Sequence, residues 1–418
     1  MKTNRWNHTF RAFRSRNYTL FFCGQSLSLI GTWMQRTAVS WLIYSLTHSA
    51  LMLGLSIFAS QFPSLVFSLL GGIVSDRYHR YKILLITQTA SMLQAVLLAV
   101  LTLTNHAAVW QILALSVLLG IINSFDVPAR QPLIHELVSN KEDVPNALAL
   151  NFSMVNIARL VGPALSGIVL GSFGAGICFL LNAVSFVAVI LSLLLIKLPP
   201  YQKKVVQTNM QSQFVEGINY LKKTPQIAVV IVLISLVSLL VLPYDTLLPV
   251  FAKVVFNGGA TTFGFISSFI GLGAIVATLF LASFKQTSKS QQKALWVNIT
   301  LLGVGLILFS HIAYFPIAML FAALSGFGGM SQNTICLTII QMHTDEVMRG
   351  RVMSYVAMAY FGMLPLGSLI IGAVSQKIGA DNTMLGQGII ALVIAGMLYW
   401  YLQQTRNQQQ PTTTEMMV

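Results

Sequence analysis

The chain has 418 residues, of which 55% are hydrophobic and only 9% charged, with a formal net charge of +14. A soluble domain carries roughly 25% charged residues, so this composition excludes an ordinary soluble enzyme. A charge of this size would suggest nucleic acid in a soluble chain, but its distribution assigns it to membrane topology, and no nucleic-acid partner is expected.

Apolar runs long enough to cross ~30 Å of hydrocarbon recur along the whole sequence. They are continuously apolar rather than alternating, which selects helices over a barrel. In chain order the predicted spans are 18–45, 50–75, 82–104, 109–129, 147–172, 176–197, 226–251, 262–284, 294–312, 316–341, 352–375 and 384–402. The first is too long and too polar for a cleaved signal peptide, since Gln35 and Arg36 sit at its centre. The fold class is therefore an all-α membrane protein with twelve transmembrane helices.

Between the second and third spans the break is very short and holds Asp76, Arg77, Arg80 and Lys82. It reads as a turn pressed against the bilayer face. With the N-terminus in the cytoplasm, every Lys and Arg falls on the cytoplasmic side except Lys253, Lys377 and the intramembrane Arg36 and Arg159. The positive-inside rule then places both termini in the cytoplasm. Cys23, Cys178 and Cys336 all fall within spans as small buried hydrophobes, without disulfide or metal spacing.

The longest polar interruption, 198–225, holds Pro199, Pro200, Lys203, Lys204, Lys222 and Lys223 and divides the spans six and six. Phe214, Ile218 and Leu221 are spaced for a short helix on the membrane surface, with a plain linker as the alternative. The chain divides into an N-terminal half (1–197), a cytoplasmic central loop (198–225) and a C-terminal half (226–418) ending in a polar tail. Pro163 in the fifth span recurs as Pro365 in the eleventh, a weak echo of an internal repeat.

Several motifs resemble those of the major facilitator superfamily, and the resemblance covers nearly the whole chain. They are Gly31-Thr32-Trp33-Met34-Gln35-Arg36, with Ala38 and Trp41, and the loop set Gly72, Asp76, Arg77 and Arg80. Asp126-Val127-Pro128-Ala129-Arg130-Gln131, Arg159-Leu160-Val161-Gly162-Pro163 with Gly167, and Arg349-Gly350-Arg351-Val352 with Ser354 complete it. Within the superfamily the chain is similar to the proton-driven enterobactin-exporter or transmembrane secretion effector group. The departures are His79 and Tyr81 in the loop motif, Ser40 where many relatives are acidic, and a loop 285–293 that has lysines but no acid. The resemblance implies a monomer in the bacterial inner membrane, working by alternating access on the proton gradient, with no cofactor and no metal.

Charge inside a membrane costs roughly 2.5–3.5 kcal/mol per group on the insertion scale, so Arg36 and Arg159 are the foremost site candidates. They would line the substrate cavity and attract an anionic group; the alternative is a structural pairing. Asp245, between Pro243 and Pro249, would help couple the proton, or else sit at the outer end of its span. Gly72, Asp76, Arg77, Arg80 and Asp126 would form a cytoplasmic gate. There Asp76 faces the eleventh helix near Val352 and Arg77 or Arg80 reaches Asp126; plain anchoring of a basic loop is the alternative. Gln332 and Asn333 are the neutral cavity candidates, and Gly162, Pro163 and Pro365 bend or pack helices. Trp33 and Trp41 would contact the substrate or belong to the aromatic belt, with the belt favoured for Trp41 near the outer end of its span.

The function expected is proton-coupled efflux of a small amphipathic or anionic compound, siderophore or drug-like. A lysophospholipid transporter of the same fold and a non-transporting scaffold or sensor are the alternatives. No nucleophile–base set or phosphate-binding glycine loop occurs, which argues against an enzyme and against ATP as the driving force.

Overall fold

The computed structural model describes residues 10–197, 210–283, 288–346 and 348–409, and every regular element among them is helical. In chain order the long helices are α1 (Arg16–Thr47), α2 (Ala50–Arg77), α3 (Arg80–Leu103), α4 (Val109–Leu137), α5 (Val144–Phe173) and α6 (Ala175–Leu195). A connecting helix, Met210–Lys223, comes next; Pro199, Pro200, Lys203 and Lys204 lie outside the described residues. Then follow α7 (Pro225–Leu240), α8 (Ala260–Ser283), α9 (Ser288–His311), α10 (Phe315–His343), α11 (Arg349–Phe361, resuming as Met363–Ile378) and α12 (Ala380–Gln409).

Among the described residues, eleven helical segments are long and apolar enough to cross a membrane. α1 is not one of them. It has the length, 32 residues, but Gln25, Gln35 and Arg36 dilute its apolar surface. The turns follow local chemistry. Gly174 and Gly379, at φ of 82° and 88°, end α5 and α11 in the left-handed region that a side chain would strain.

Prolines shape the interior. α4 runs to Leu137, well past the expected end at 129, although Pro128 and Pro132 lie within it. Each proline lacks an N–H and so frees the carbonyl four residues earlier. The freed Pro128 carbonyl accepts from Ser75 Oγ of α2 at 3.1 Å. The freed Ser124 carbonyl faces Gly71, where a Cβ would lie only 2.8 Å from the carbonyl carbon. α2 thus supplies a replacement bond to one freed carbonyl and packs closely on the other.

α7 is broken more severely. Beyond Leu240 the chain passes through a 3-10 segment (Leu242–Leu247), one α turn (Leu248–Val250) and a π turn (Phe251–Val255). Pro243 and Pro249 account for the break, because neither can donate to a regular ladder. α11 is interrupted at Gly362, three residues before Pro365.

α1 packs on α5 and α6, α2 on α4, and α3 on α4 and α6; among the later helices α10 packs on α8 and α9, and α12 on α9. Most of the buried apolar residues of α7–α12 form one cluster, joined from the earlier helices by buried Ala50, while Ala260 of α8 packs with residues of the earlier helices. Two seams link the groups, α2 with α11 and α5 with α8. Both are tightest at the end away from the basic loops. Ser49 Oγ and the Ala50 amide bond Gln376 Oε1 at 2.9 and 3.1 Å, and Thr261 Oγ1 bonds the Gly167 carbonyl at 3.1 Å. Trp41 stacks on Phe263 of α8, centroids 6.2 Å apart, so it belongs to this seam and not to an aromatic belt. Cys178 and Cys336 are buried as expected, but Cys23 is exposed.

Candidate functional site

The charged residues furthest from either end converge. Trp33 of α1 presses against Gly162 of α5, where a Cβ would overlap the Trp33 Cβ. One turn along α1 the Arg36 guanidinium lies 4.9 Å from the indole centroid. The Arg159 guanidinium, three residues before Gly162 on α5, lies 5.8 Å from the same centroid. One indole therefore has two cations within reach, each of which it attracts through its quadrupole. The missing side chain of Gly162 leaves room for the Trp33 side chain.

The broken part of α7 faces this pair. Asp245 lies within electrostatic reach of both arginines, and Tyr244 and Tyr360 belong to the same group. Asp245 and Arg36 are exposed and Arg159 is half-buried, whereas Tyr244 and Thr246 on either side of Asp245 are buried. None of the ion pairs among the described residues includes Arg36, Arg159 or Asp245. Two cations and one anion from three helices thus lie within electrostatic reach of one another, none of them fully buried, without an ion pair between them. That arrangement can take a ligand carrying negative charge.

Supports behind the site were missed in the sequence. Gln35, adjacent to Arg36, turns the other way into a buried chain. Asn182 Nδ2 donates to Gln35 Oε1 (2.8 Å), Gln35 Nε2 to Gln94 Oε1 (3.0 Å), and Gln94 Nε2 to the Leu115 carbonyl (3.1 Å). This chain fixes the rotation of α1 and so aims Arg36 at the cavity. Behind α7, Gln387 of α12 donates to the Val241 carbonyl at 3.1 Å, with the Leu240 carbonyl at 3.4 Å. Gly367 of α11 lies against the Pro243 ring and the Leu239 carbonyl that Pro243 frees. Polar residues in these spans were legible, but not which of them meet a broken backbone.

A family model described as "Transmembrane secretion effector" matches residues 7–416. The chain belongs to the transmembrane secretion effector family. It is 28% identical to the staphyloferrin A transporter of Staphylococcus aureus, over 91% of this chain and 95% of that one. It is 24% identical to the enterobactin exporter of Shigella flexneri, over 96% and 94%. A multidrug efflux pump of Mycolicibacterium fortuitum is 22% identical over 88% and 91%. In fold it is similar to a bacterial homologue of the human lysosomal transporter Spinster, with a TM-score of 0.70 at 13% identity, covering 95% of this chain and 99% of the other. These relatives are membrane transporters of the major facilitator superfamily, not enzymes.

In this chain the loop motif lies at the basic end. Asp76 and Arg77 close α2 and are exposed. Arg80 Nη1 bonds Glu136 Oε1 at 2.7 Å, joining α3 to α4. Asp126 is therefore not the partner of Arg80. It is buried, ion-paired with Arg130 one turn along α4, and accepts from Thr87 Oγ1 (2.9 Å) and Gln88 Nε2 (2.7 Å) of α3. Matching residues by depth suggested the wrong pair, because Asp126 points into the α3–α4 contact. Gly72 has no atom within 4 Å of where a Cβ would stand; Gly71 carries the packing. Gln332 is buried and donates to Cys336 Sγ at 3.4 Å, so it does not open on the accessible space, and Asn333 is half-buried. Pro163 lies buried inside an unbroken α5. Among the described residues no group of His, Cys, Asp or Glu could hold a metal ion.

Proposed function

We propose that the protein is a secondary active exporter of a small anionic or amphipathic compound, siderophore or drug-like, driven by the proton gradient. The observation that carries this reading is the convergence of Arg36 and Arg159 on the Trp33 indole, within electrostatic reach of Asp245 and without an ion pair among the three. Arg36 and Arg159 hold the anionic part of the substrate, Trp33 supports it, and Asp245 exchanges the proton. Relatives named for staphyloferrin A, enterobactin and drugs support a substrate of this kind.

α1 completes a set of twelve spans, arranged as two six-helix halves, 1–197 and 226–418, joined by 198–225. By the positive-inside rule the basic end and both termini face the cytoplasm. The seams at the far end are then the closed outer side, and the substrate loads from the cytoplasm. In the opposite state the halves rock, and Gly72, Asp76 and Arg77 of α2 meet α11 near Val352. Gly72 is open here because its partner is on the other half. Arg80 braces the loop through Glu136, and Asp126 keeps α3 and α4 rigid beneath it.

The test is comparative mass spectrometry of medium and cells from deletion, complemented and Arg36→Ala strains, with and without iron. A compound lost from the deletion medium, retained in the cells and restored only by the intact gene is expected. Restoration by Arg36→Ala at normal protein level would remove the arginine from the substrate site.

A further inference from the structure

A second feature lies between α9 and α12, away from the central site. At mid-length these helices meet closely: a Cβ on Gly303 would lie 2.8 Å from the Gly388 carbonyl oxygen. Towards the basic end large side chains replace the glycines. Trp296 of α9 and Tyr399 of α12 meet edge-on, with centroids 5.2 Å apart and planes at 67°. Beside these rings lies a crevice lined by Gln292, Lys293, Trp296, Tyr399, Leu402 and Gln403.

The chemistry of the crevice is cationic and rich in donors. Lys293 is exposed and takes part in none of the ion pairs among the described residues. α9 carries no acidic residue, and the only one on α12 is Asp381, at its opposite end. Gln403 Nε2 donates to the Tyr399 hydroxyl at 2.5 Å, which leaves the phenol proton for an outside acceptor. The position is the water boundary of two spanning helices, where Trp and Tyr rings settle and a lysine reaches the headgroup layer. Beside the crevice, Ile389, Val393 and Trp400 are exposed on one face of α12, a surface for acyl chains. In the sequence this stretch stands out only as a loop, 285–293, that has Lys285, Lys289 and Lys293 but no acid.

We propose that this crevice binds the phosphate headgroup of an anionic phospholipid, with Lys293 as the cation, the Tyr399 hydroxyl and Gln292 amide as donors, and Trp296 at the glycerol level. Basic pockets between spanning helices on the cytoplasmic side suit such headgroups. Burial of the headgroup there would tie α9 to α12.

The test is native mass spectrometry of the purified full-length protein with phosphatidylglycerol or phosphatidylcholine of identical chains. Wild type should retain phosphatidylglycerol in preference. Lys293→Gln should cut that retention about fivefold, the effect of one cation at an anionic surface, and leave phosphatidylcholine unchanged. Lys293→Arg should restore it, and Lys222→Gln, at another basic-end lysine, should have no effect. Equal retention of the two lipids, or an equal loss in Lys293→Gln and Lys222→Gln, would overturn the proposal. So would displacement of the lipid by millimolar glycerol 3-phosphate, which would assign the crevice to a soluble anion.

Discussion

Gly71 and Gly72 are neighbours in one helix, yet alanine should act in opposite ways at the two. At Gly71 a Cβ would overlap the Ser124 carbonyl oxygen, lie 2.8 Å from its carbon and 3.3 Å from the Phe125 Cα. These are backbone atoms and cannot turn aside, so α2 and α4 must separate by roughly an ångström, at a cost of about 1–3 kcal/mol. The separation also stretches the bond from Ser75 Oγ to the Pro128 carbonyl, one turn further on, worth about 1 kcal/mol. Helix propensity returns about 1 kcal/mol. The net loss for Gly71→Ala is then about 1–3 kcal/mol. At Gly72 nothing stands within 4 Å, so alanine contributes only its propensity gain. Thermal unfolding of the purified proteins in detergent, followed by size exclusion, should show Gly71→Ala melting several degrees below wild type and Gly72→Ala at or above it. Transport should reverse the order of interest: Gly72→Ala, correctly folded, should be impaired because the opposite state closes on that position. Equal melting temperatures would refute the role of proline-freed carbonyls in seating α2 on α4. Full transport by Gly72→Ala would refute the gate.

Other outcomes can be stated briefly. Arg159→Lys keeps the charge but loses the planar group on Trp33, so the apparent KM should rise about fivefold in vesicle uptake at unchanged expression. Asp245→Asn should abolish the dependence of transport on the pH gradient; unchanged dependence would sink its coupling role. Gln387→Met should melt about 1 kcal/mol less stably, and thiol labelling of Asp245→Cys in a Cys23→Ser background should slow once the Gln387 amide no longer holds the broken backbone.

The spans were legible because each is a continuous apolar run, and lipid leaves the backbone no alternative to helices. Only α1 tests that rule, since its polar residues are the ones that serve the site and its supports. The ends were less legible. α4 passes two prolines, and Ser75 of α2, distant in sequence, satisfies the Pro128 carbonyl that Pro132 frees. The α7 break was readable as Pro243 and Pro249, but the groups that meet its start, Gln387 and Gly367, lie on other helices. Arg36 and Arg159 stood out through the cost of charge in lipid. Their shared indole did not, because the contact of Trp33 with Gly162 is set by the crossing of α1 and α5.

Asp126 shows how a motif residue can be conspicuous and still belong to the scaffold. Its carboxylate is buried and receives an arginine, a hydroxyl and an amide, all from α3 and α4. A group so fully engaged within one rigid pair of helices has nothing left to offer a contact that must form and break between halves. Removing one partner from a buried charge costs about 3–5 kcal/mol, whereas removing both charges costs much less. Arg130→Ala should therefore lower the yield of folded protein sharply, and Asp126→Asn in the same chain should restore most of it. Folded yield from the double variant, measured by size exclusion, decides between scaffold and gate. Recovery of folding together with transport would place Asp126 in the scaffold. Recovery of folding with transport still absent would return it to the gate.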